Sequence, residues 1–225
     1  MFILSDVHGE KGLIKPFLLS SEKYCFQLGD FGFIWKYNDW KYNKFLRHFE
    51  RDYPEKIIFT ILGNHENYDS IEKMPMRTVL GARCRVIREN IFAVERGEVI
   101  TCEGKNILCV GGADSTDISW RIPTVSWWYQ EQINYKDVEK CFTNLEKFDK
   151  IDYVLSHSMP AFYAQKVFGF CPGESNLQLE KIFVQMKNID KSPREWIGGH
   201  YHEDSELEIF DTKFSTLGIG RYKIY

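Results

Sequence analysis

Short apolar segments that stop at polar or small residues constrain the fold of this chain more than any other feature. Each is three to seven residues long and rich in β-favouring residues, and several stop at Gly, Asp, Asn or His. Such segments are typical of buried strands. The six clearest are Met1–Leu4, Tyr24–Leu28, Lys56–Leu62, Asn106–Val110, Ile151–Leu155 and Glu195–Ile197.

Apolar residues at helical spacing occur between several of these segments, in Asp39–Arg51, Tyr135–Phe148 and Asn176–Lys187. Alternating strands and helices predict sheets that are covered by helices. Region 85–110 indicates several more short strands, and the end of the chain predicts a β-meander of Leu207–Phe210, Lys213–Leu217 and Arg221–Tyr225. We therefore expect a mixed α/β fold of two sheets packed face to face. The 225 residues contain no evident linker and fit a single domain, 1–225.

Composition excludes several classes of protein. A net charge of −3 and a pI near 6.1 argue against a large basic surface for nucleic acid. Six cysteines without a C-x-x-C pair argue against a zinc ribbon or a thioredoxin-like protein. The chain opens without a signal-peptide pattern and has no stretch of about 20 apolar residues. We expect a cytoplasmic protein that is not embedded in a membrane.

Most of the histidines follow predicted strands, and only His48 lies within a helical pattern. The five at strand ends are His8, His65, His157, His200 and His202. Asp6, Asp30 and Asn64 follow the first three strands. Because ligand sites in α/β sheets collect at the carboxyl ends of strands, we expect these side chains to meet. In an extended segment, His200 and His202 would share one face.

Carboxylate, imidazole and amide groups together favour borderline divalent metals such as Mn²⁺, Fe, Zn²⁺ or Ni²⁺. Two such ions about 3.5–4 Å apart could clamp a phosphate and generate a hydroxide nucleophile. One carboxylate must then bridge the two ions, and Asp30 is the natural candidate. The sequence predicts a metal-dependent phosphoesterase.

The same residues resemble the signature of the calcineurin-like metallophosphoesterase family. The pieces occur in the family's order, as Asp6-Val7-His8, Gly29-Asp30, Gly63-Asn64-His65-Glu66, a lone His157 and Gly199-His200-Tyr201-His202. The resemblance implies a four-layer β-sandwich of two mixed sheets flanked by helices. It also implies that Asp6, His8 and His202 hold one metal ion, that Asn64, His157 and His200 hold a second, and that Asp30 bridges them. His65 would lie beside the substrate phosphate as a charge stabiliser or proton donor.

A second, narrower resemblance covers residues 111–132, a block similar to one in a bacterial and phage subgroup of the family. It consists of Gly111-Gly112-Ala113-Asp114-Ser115-Thr116-Asp117, Arg121, Ser126-Trp127-Trp128 and Glu131-Gln132. We expect segment 112–134 to form a lid or a wall over the metals, with Asp117, Arg121, Trp127 and Trp128 as candidate substrate-binding residues. Arg121 would pair with phosphate, unless it pairs with Asp117 or Glu131. The two tryptophans and Tyr129 would stack a base or sugar, unless they belong to the core.

The predicted reaction is hydrolysis of phosphomonoesters or phosphodiesters by a metal-bound hydroxide, with two divalent ions as cofactors and Mn²⁺ first among them. We expect a small phosphorylated substrate and favour nucleotides, followed by cyclic nucleotides, nucleic-acid ends and, last, phosphoproteins. A protein phosphatase is disfavoured because Phe31-Gly32-Phe33, without an arginine, follows Asp30. A nuclease of the same family and a scaffold that lost catalysis are the alternatives. The oligomeric state stays open.

Overall fold

Two sheets make up the centre of the computed structural model, which describes residues 1–35 and 40–225. In spatial order, the strands of the first sheet are β13 (Tyr222–Ile224), β1 (Phe2–Leu4), β2 (Tyr24–Gln27), β3 (Ile57–Ile61), β6 (Ile91–Val94), β5 (Ala82–Arg88) and β4 (Met76–Val79). Those of the second sheet are β11 (Ser205–Ile209), β12 (Thr212–Thr216), β10 (Glu195–Gly198), β9 (Tyr153–Ser156), β8 (Lys105–Val110) and β7 (Glu98–Cys102).

The middle of each sheet is parallel and its margins are antiparallel. Strands β1, β2, β3 and β6 run parallel in the first sheet, and β8, β9, β10 and β12 run parallel in the second. The register keeps the carboxyl ends level, since Leu4 lies beside Gln27 and Gln27 lies beside Thr60. The loops that follow the parallel strands therefore gather at one edge of each sheet.

Helices cover both outer faces. They are α1 (Lys15–Leu19), α2 (Trp40–Asp52), α3 (Tyr68–Ile71), α4 (Tyr135–Leu145), α5 (Ala161–Phe168) and α6 (Glu174–Asn188). On the outer face of the first sheet, Phe2 packs in one cluster with Phe17 of α1 and Phe49 of α2. On the outer face of the second sheet, Trp196 packs in one cluster with Leu179 of α6.

A third apolar cluster fills the space between the two sheets. Its members include Ile3, Phe26 and Phe59 from the first sheet and Ile107, Leu155 and Ile197 from the second. These residues alternate along their strands with the ones that face the helices, as the twofold period of a strand requires. The four layers confirm the predicted architecture of two mixed sheets flanked by helices.

Most predicted elements are confirmed, with ends that differ by a few residues. Region 85–110 contains several short strands, as expected, and the three predicted helices are α2, α4 and α6. Asp39, the predicted first residue of the helix at 39–51, lies outside the described residues. Helices α1, α3 and α5 and strand β4 were not predicted.

The predicted β-meander at the end of the chain is wrong in its last strand. Strands β11 and β12 form the expected antiparallel pair, but β13 pairs with β1 in the other sheet. The turn between β12 and β13 carries the chain from the second sheet to the first. In this turn the backbone N–H of Gly220 donates to the carbonyl of Asp6 at 2.9 Å. Within the described ranges, no helix is both long and apolar enough to cross a membrane.

Candidate metal centre and active site

The carboxyl ends of the parallel strands of both sheets meet, and the seven predicted metal ligands lie together there. Asp6, His8, Asp30 and Asn64 follow strands of the first sheet, and His157, His200 and His202 follow strands of the second. Hydrogen bonds link the two sheets at this point. The Ser5 hydroxyl donates to the Leu217 carbonyl at 2.8 Å, and Nδ1 of His157 lies 2.7 Å from the Leu28 carbonyl.

Tight turns place several of these side chains. His8, Asp30, His200 and His202 all have left-handed backbone angles, with φ of 47°, 52°, 69° and 59°. Such angles are uncommon outside glycine and concentrate at functional sites. The expectation that His200 and His202 share one face of an extended segment is wrong, because β10 ends at Gly198 and both residues lie in the turn that follows. The turn nevertheless brings both rings to the site.

The first group of ligands consists of Asp6, His8, Asp30 and His202. One ligand atom from each lies within 4.8 Å of all the others. Nε2 of His202 lies 3.2 Å from Nε2 of His8 and 3.6 Å from Oδ1 of Asp6. Two carboxylates and two imidazole nitrogens at these separations match the donor set of a borderline divalent cation.

The second group consists of Asn64, His157 and His200. Nδ1 of His157 must carry a proton, since its neighbour is the Leu28 carbonyl. In a neutral ring the lone pair of Nε2 then points toward two other acceptors, Oδ1 of Asn64 at 3.0 Å and Oδ1 of Asp30 at 3.4 Å. Acceptors that face one another repel, and a cation between them would turn that repulsion into attraction. The ring of His200 lies 5.0 Å from that of His157.

Asp30 is common to both groups. Its Oδ2 lies 3.9 Å from Nε2 of His8, whereas its Oδ1 lies 3.4 Å from Nε2 of His157. Oδ1 also accepts the backbone N–H of His65 at 2.8 Å, which fixes the orientation of the carboxylate. Each oxygen of one buried carboxylate therefore faces a different set of ligands.

Two glycines make room for this arrangement. A Cβ atom at Gly63 would lie 2.2 Å from Oδ1 of Asp30, and one at Gly199 would lie 2.3 Å from Oδ2 of Asp6. Neither glycine has a left-handed backbone angle, so the requirement is for space. Any other residue would push a carboxylate out of place.

The electrostatic environment favours the ligating protonation state at His200 and Asp6 and opposes it at His202. Burial and the neighbouring His157 lower the pKa of His200 to about 3, which keeps this imidazole neutral. Burial alone would raise the pKa of Asp6, but a hydrogen bond with His202 outweighs it and the pKa is lowered. The same hydrogen bond raises the pKa of His202. A metal bound between Asp6 and His202 would therefore displace a proton.

Segment 112–134 contacts the site through two side chains. Oγ of Ser115 accepts a hydrogen bond from the Asn64 amide at 3.0 Å, and the Arg121 guanidinium lies against His65. Nε of Arg121 lies 2.8 Å from Oδ1 of Asp117, and Nη1 lies 3.8 Å from Oε2 of Glu131. Both carboxylates are the alternatives to phosphate as partners of Arg121.

The two candidate stacking tryptophans are interior residues. Trp127 is 6% exposed and Trp128 is 1% exposed, so neither presents an open ring face to a base. The reading of these rings as core residues fits the structure, and a stacking role for them does not. Trp120 and Tyr129 of the same segment are 88% and 73% exposed.

Three groups that hold the site in place were not selected from the sequence. Glu66 is buried and accepts the backbone N–H of Phe31 at 2.6 Å, and burial with the nearby Asp30 raises its pKa to about 8. Glu66 could have been identified from its position in the G-N-H-E motif, and Ser115 from its position in the block at 111–132. The Leu28 carbonyl could not have been identified, because every residue has a backbone oxygen whatever its side chain.

A two-sheet α/β fold whose strand-end loops present this donor set defines a class of metal-dependent hydrolases. The chain belongs to the calcineurin-like phosphoesterase family, whose model matches residues 2–204. It is therefore a phosphoesterase, a hydrolase of phosphoric ester bonds, with a group of residues suited to a metal ion. No curated protein matches it.

Two solved structures are similar to this chain at low sequence identity. GAP50, the anchor in the inner membrane complex of Plasmodium, is 15% identical with a TM-score of 0.50, over 98% of this chain and 72% of that one. Phosphopantetheinyl hydrolase from Mycobacterium tuberculosis is 11% identical with a TM-score of 0.46, over 97% of this chain and 89% of that one.

Proposed function

We propose that the protein is a dinuclear phosphoesterase that acts on small phosphorylated substrates, with nucleotide-like compounds favoured. The observation that carries the proposal is the position of Asp30, with one oxygen toward each ligand group. Asp6, His8 and His202 would hold the first ion, and Asn64, His157 and His200 the second. When bound, the two ions would supply charge for the phosphoryl oxygens and lower the pKa of a water.

The absence of cysteine among the predicted ligands supports a metal that accepts oxygen and nitrogen donors, with Mn²⁺ first and Fe, Zn²⁺ or Ni²⁺ also compatible. His65 would act on the substrate itself. Its ring lies 5.6 Å from that of His8, and Asp30 holds its backbone N–H. From there it would donate a hydrogen bond to a phosphoryl oxygen or a proton to the leaving group.

A nucleotide is favoured because two exposed aromatic rings, Trp120 and Tyr129, lie in the segment that contacts His65 through Arg121. Exposed rings can stack a base. The net charge of −3 lends no support to a long nucleic acid, so a nuclease ranks lower. The cytoplasmic location, the single domain 1–225 and the role of segment 112–134 as a lid or wall stay predictions.

A substrate panel tests the proposal. The full chain is loaded with Mn²⁺ and assayed on aryl monoesters and diesters, nucleotides and 2′,3′-cyclic nucleotides, before and after chelation. We expect turnover that chelation abolishes and Mn²⁺ restores, and about two metal equivalents per chain.

Asp30→Asn should lose at least one metal equivalent and roughly 100-fold or more in kcat. Asp152→Asn is the matched control, because Asp152 also accepts a backbone N–H, that of Asn106 at 2.9 Å, but precedes β9 at the opposite end from His157. Full turnover by Asp30→Asn would contradict the bridging role. A chain that takes up no Mn²⁺ would instead favour the non-catalytic scaffold.

A further inference from the structure

Arg121 is held in place more firmly than its neighbours in the chain. Its side chain is only 6% exposed, although Trp120 and Ile122 on either side are 88% and 62% exposed. Nε lies 2.8 Å from Oδ1 of Asp117, and Nη1 donates to the carbonyls of Asn64 at 3.2 Å and Ser126 at 3.4 Å. With Nε and Nη1 engaged, the plane of the guanidinium is fixed.

The remaining nitrogen of that guanidinium, Nη2, lies on His65. It is 2.7 Å from Nε2 and 3.1 Å from Nδ1 of the same imidazole ring. The lone-pair directions of the two ring nitrogens diverge in the ring plane. A donor in line with either lone pair would be far from the other nitrogen. An atom close to both must lie over the face of the ring, so Arg121 contacts the ring face and is not in line with either lone pair.

A nitrogen over the ring face leaves the edge of the imidazole free. Lysine cannot reproduce this contact, because a single ammonium group cannot hold Asp117, the backbone carbonyls and the ring face at once. The imidazole of His65 could rotate about its side-chain bonds if nothing contacted its face. Arg121 restricts this rotation, because its guanidinium is anchored to Asp117 and to the carbonyl of Asn64. The anchor on Asn64 belongs to the residue just before His65.

We infer that Arg121 is a positioning residue: it lies on the face of His65 and aims the edge of that ring at the substrate phosphate. The inference rests on the proposed function of His65. Arg121 then contributes to the chemical step through His65 and not through binding of the phosphate, since its Nε and Nη1 are already engaged by Asp117 and by backbone carbonyls.

Kinetics separate these two roles. Arg121→Met should lower kcat about 10- to 100-fold with less than roughly threefold change in KM, because an acid or donor displaced by about 1 Å loses that much. Arg121→Lys should not restore kcat. In a His65→Ala background, Arg121→Met should cost nothing further, because its partner is gone.

The matched control is Arg85→Met. Nε of Arg85 lies 2.9 Å from Oε1 of Glu95, and Nη1 donates to the carbonyls of Glu72 and Met74. Its anchoring resembles that of Arg121, apart from the more distant Glu131, and involves no histidine. Both variants should unfold at similar temperatures, and Arg85→Met should keep wild-type kcat.

A second measurement needs no substrate. The ring C–H signals of His65 in NMR spectra of the metal-free and Zn²⁺-loaded full chain should shift or broaden in Arg121→Met and stay unchanged in Arg85→Met. Unchanged His65 signals in Arg121→Met would overturn the inference, as would wild-type kcat in Arg121→Lys or an equal loss in the His65→Ala background. Full activity of His65→Ala would instead contradict the proposed role of His65. The NMR comparison of Arg121→Met with Arg85→Met would still decide whether Arg121 holds the His65 ring in place.

Discussion

Gly63→Ala is the most economical test of the site geometry, because it adds one methyl group and removes no ligand. The new Cβ would lie 2.2 Å from Oδ1 of Asp30, 2.5 Å from its backbone nitrogen and 2.9 Å from Nε2 of His157. Ordinary contact between such atoms is about 3.5 Å, so Asp30 would have to move by about 1 Å or more. The backbone angle of Gly63 is open to alanine, so the effect is steric.

Two magnitudes follow for Gly63→Ala. A displacement of about 1 Å at a reacting group costs on the order of 100-fold in rate, so kcat should fall by at least that amount together with metal content. Overpacking should cost about 1–3 kcal/mol of stability. For a chain of this size each kcal/mol lowers Tm by about 2–4 °C, so the protein should remain folded at room temperature.

The assay combines metal analysis, phosphoesterase turnover and thermal unfolding. Gly12→Ala is the control, since a Cβ at Gly12 meets nothing within 4 Å, and it should leave activity intact and raise stability by about 0.4–1 kcal/mol. The steric reasoning is refuted if Gly63→Ala binds two metal equivalents and keeps kcat within roughly a factor of two of the wild type.

Two further predictions concern stability. Leu179→Ala, in the core under α6, should cost about 2–5 kcal/mol in denaturant unfolding, whereas Leu177→Ala on the same helix, 44% exposed, should change stability by less than about 0.5 kcal/mol. At Glu195, burial alone would raise the carboxyl pKa, but hydrogen bonds from Tyr225 and Ser215 outweigh it and the pKa is lowered. The stabilisation by Glu195 is present above its ordinary value of 4.5 and is lost as the pH falls through the depressed value. Glu195→Gln should therefore lower Tm at pH 7 and weaken the loss of stability in acid, and an unchanged Tm across this range would contradict the assignment.

The parallel strands and their polar ends could be predicted because both depend on local pattern. A buried strand such as β3 is apolar except for Thr60, and the loop after it is the first part of the chain that can reach a ligand site. The partner of β13 could not be predicted in this way, since pairing with β1 depends on a crossing between sheets. Pattern alone also cannot distinguish a tryptophan that lines a site from one that fills the core, as Trp128 shows.

The site shows the same division. Residue type and order predicted which candidate ligands lie together, but not the turns that present them. The left-handed turn at His200 and His202 replaces the extended segment expected from their spacing. The contact of Arg121 with the ring of His65 depends on a loop 56 residues downstream, whose path no periodicity describes.

The centre draws its donors from opposite sheets, with Asp6 and Asn64 on one side and His157 and His200 on the other. Bound cations would join the two sheets at this edge, in addition to the hydrogen bonds and the apolar cluster that already hold them together. Metal uptake and folding are then thermodynamically linked, and the ions would raise resistance to unfolding by an amount set by their affinity. Conversely, a substitution that loosens the apolar cluster near Phe59 or Leu155 would let the two sheets shift relative to each other. Metal binding would then weaken before the chain unfolds.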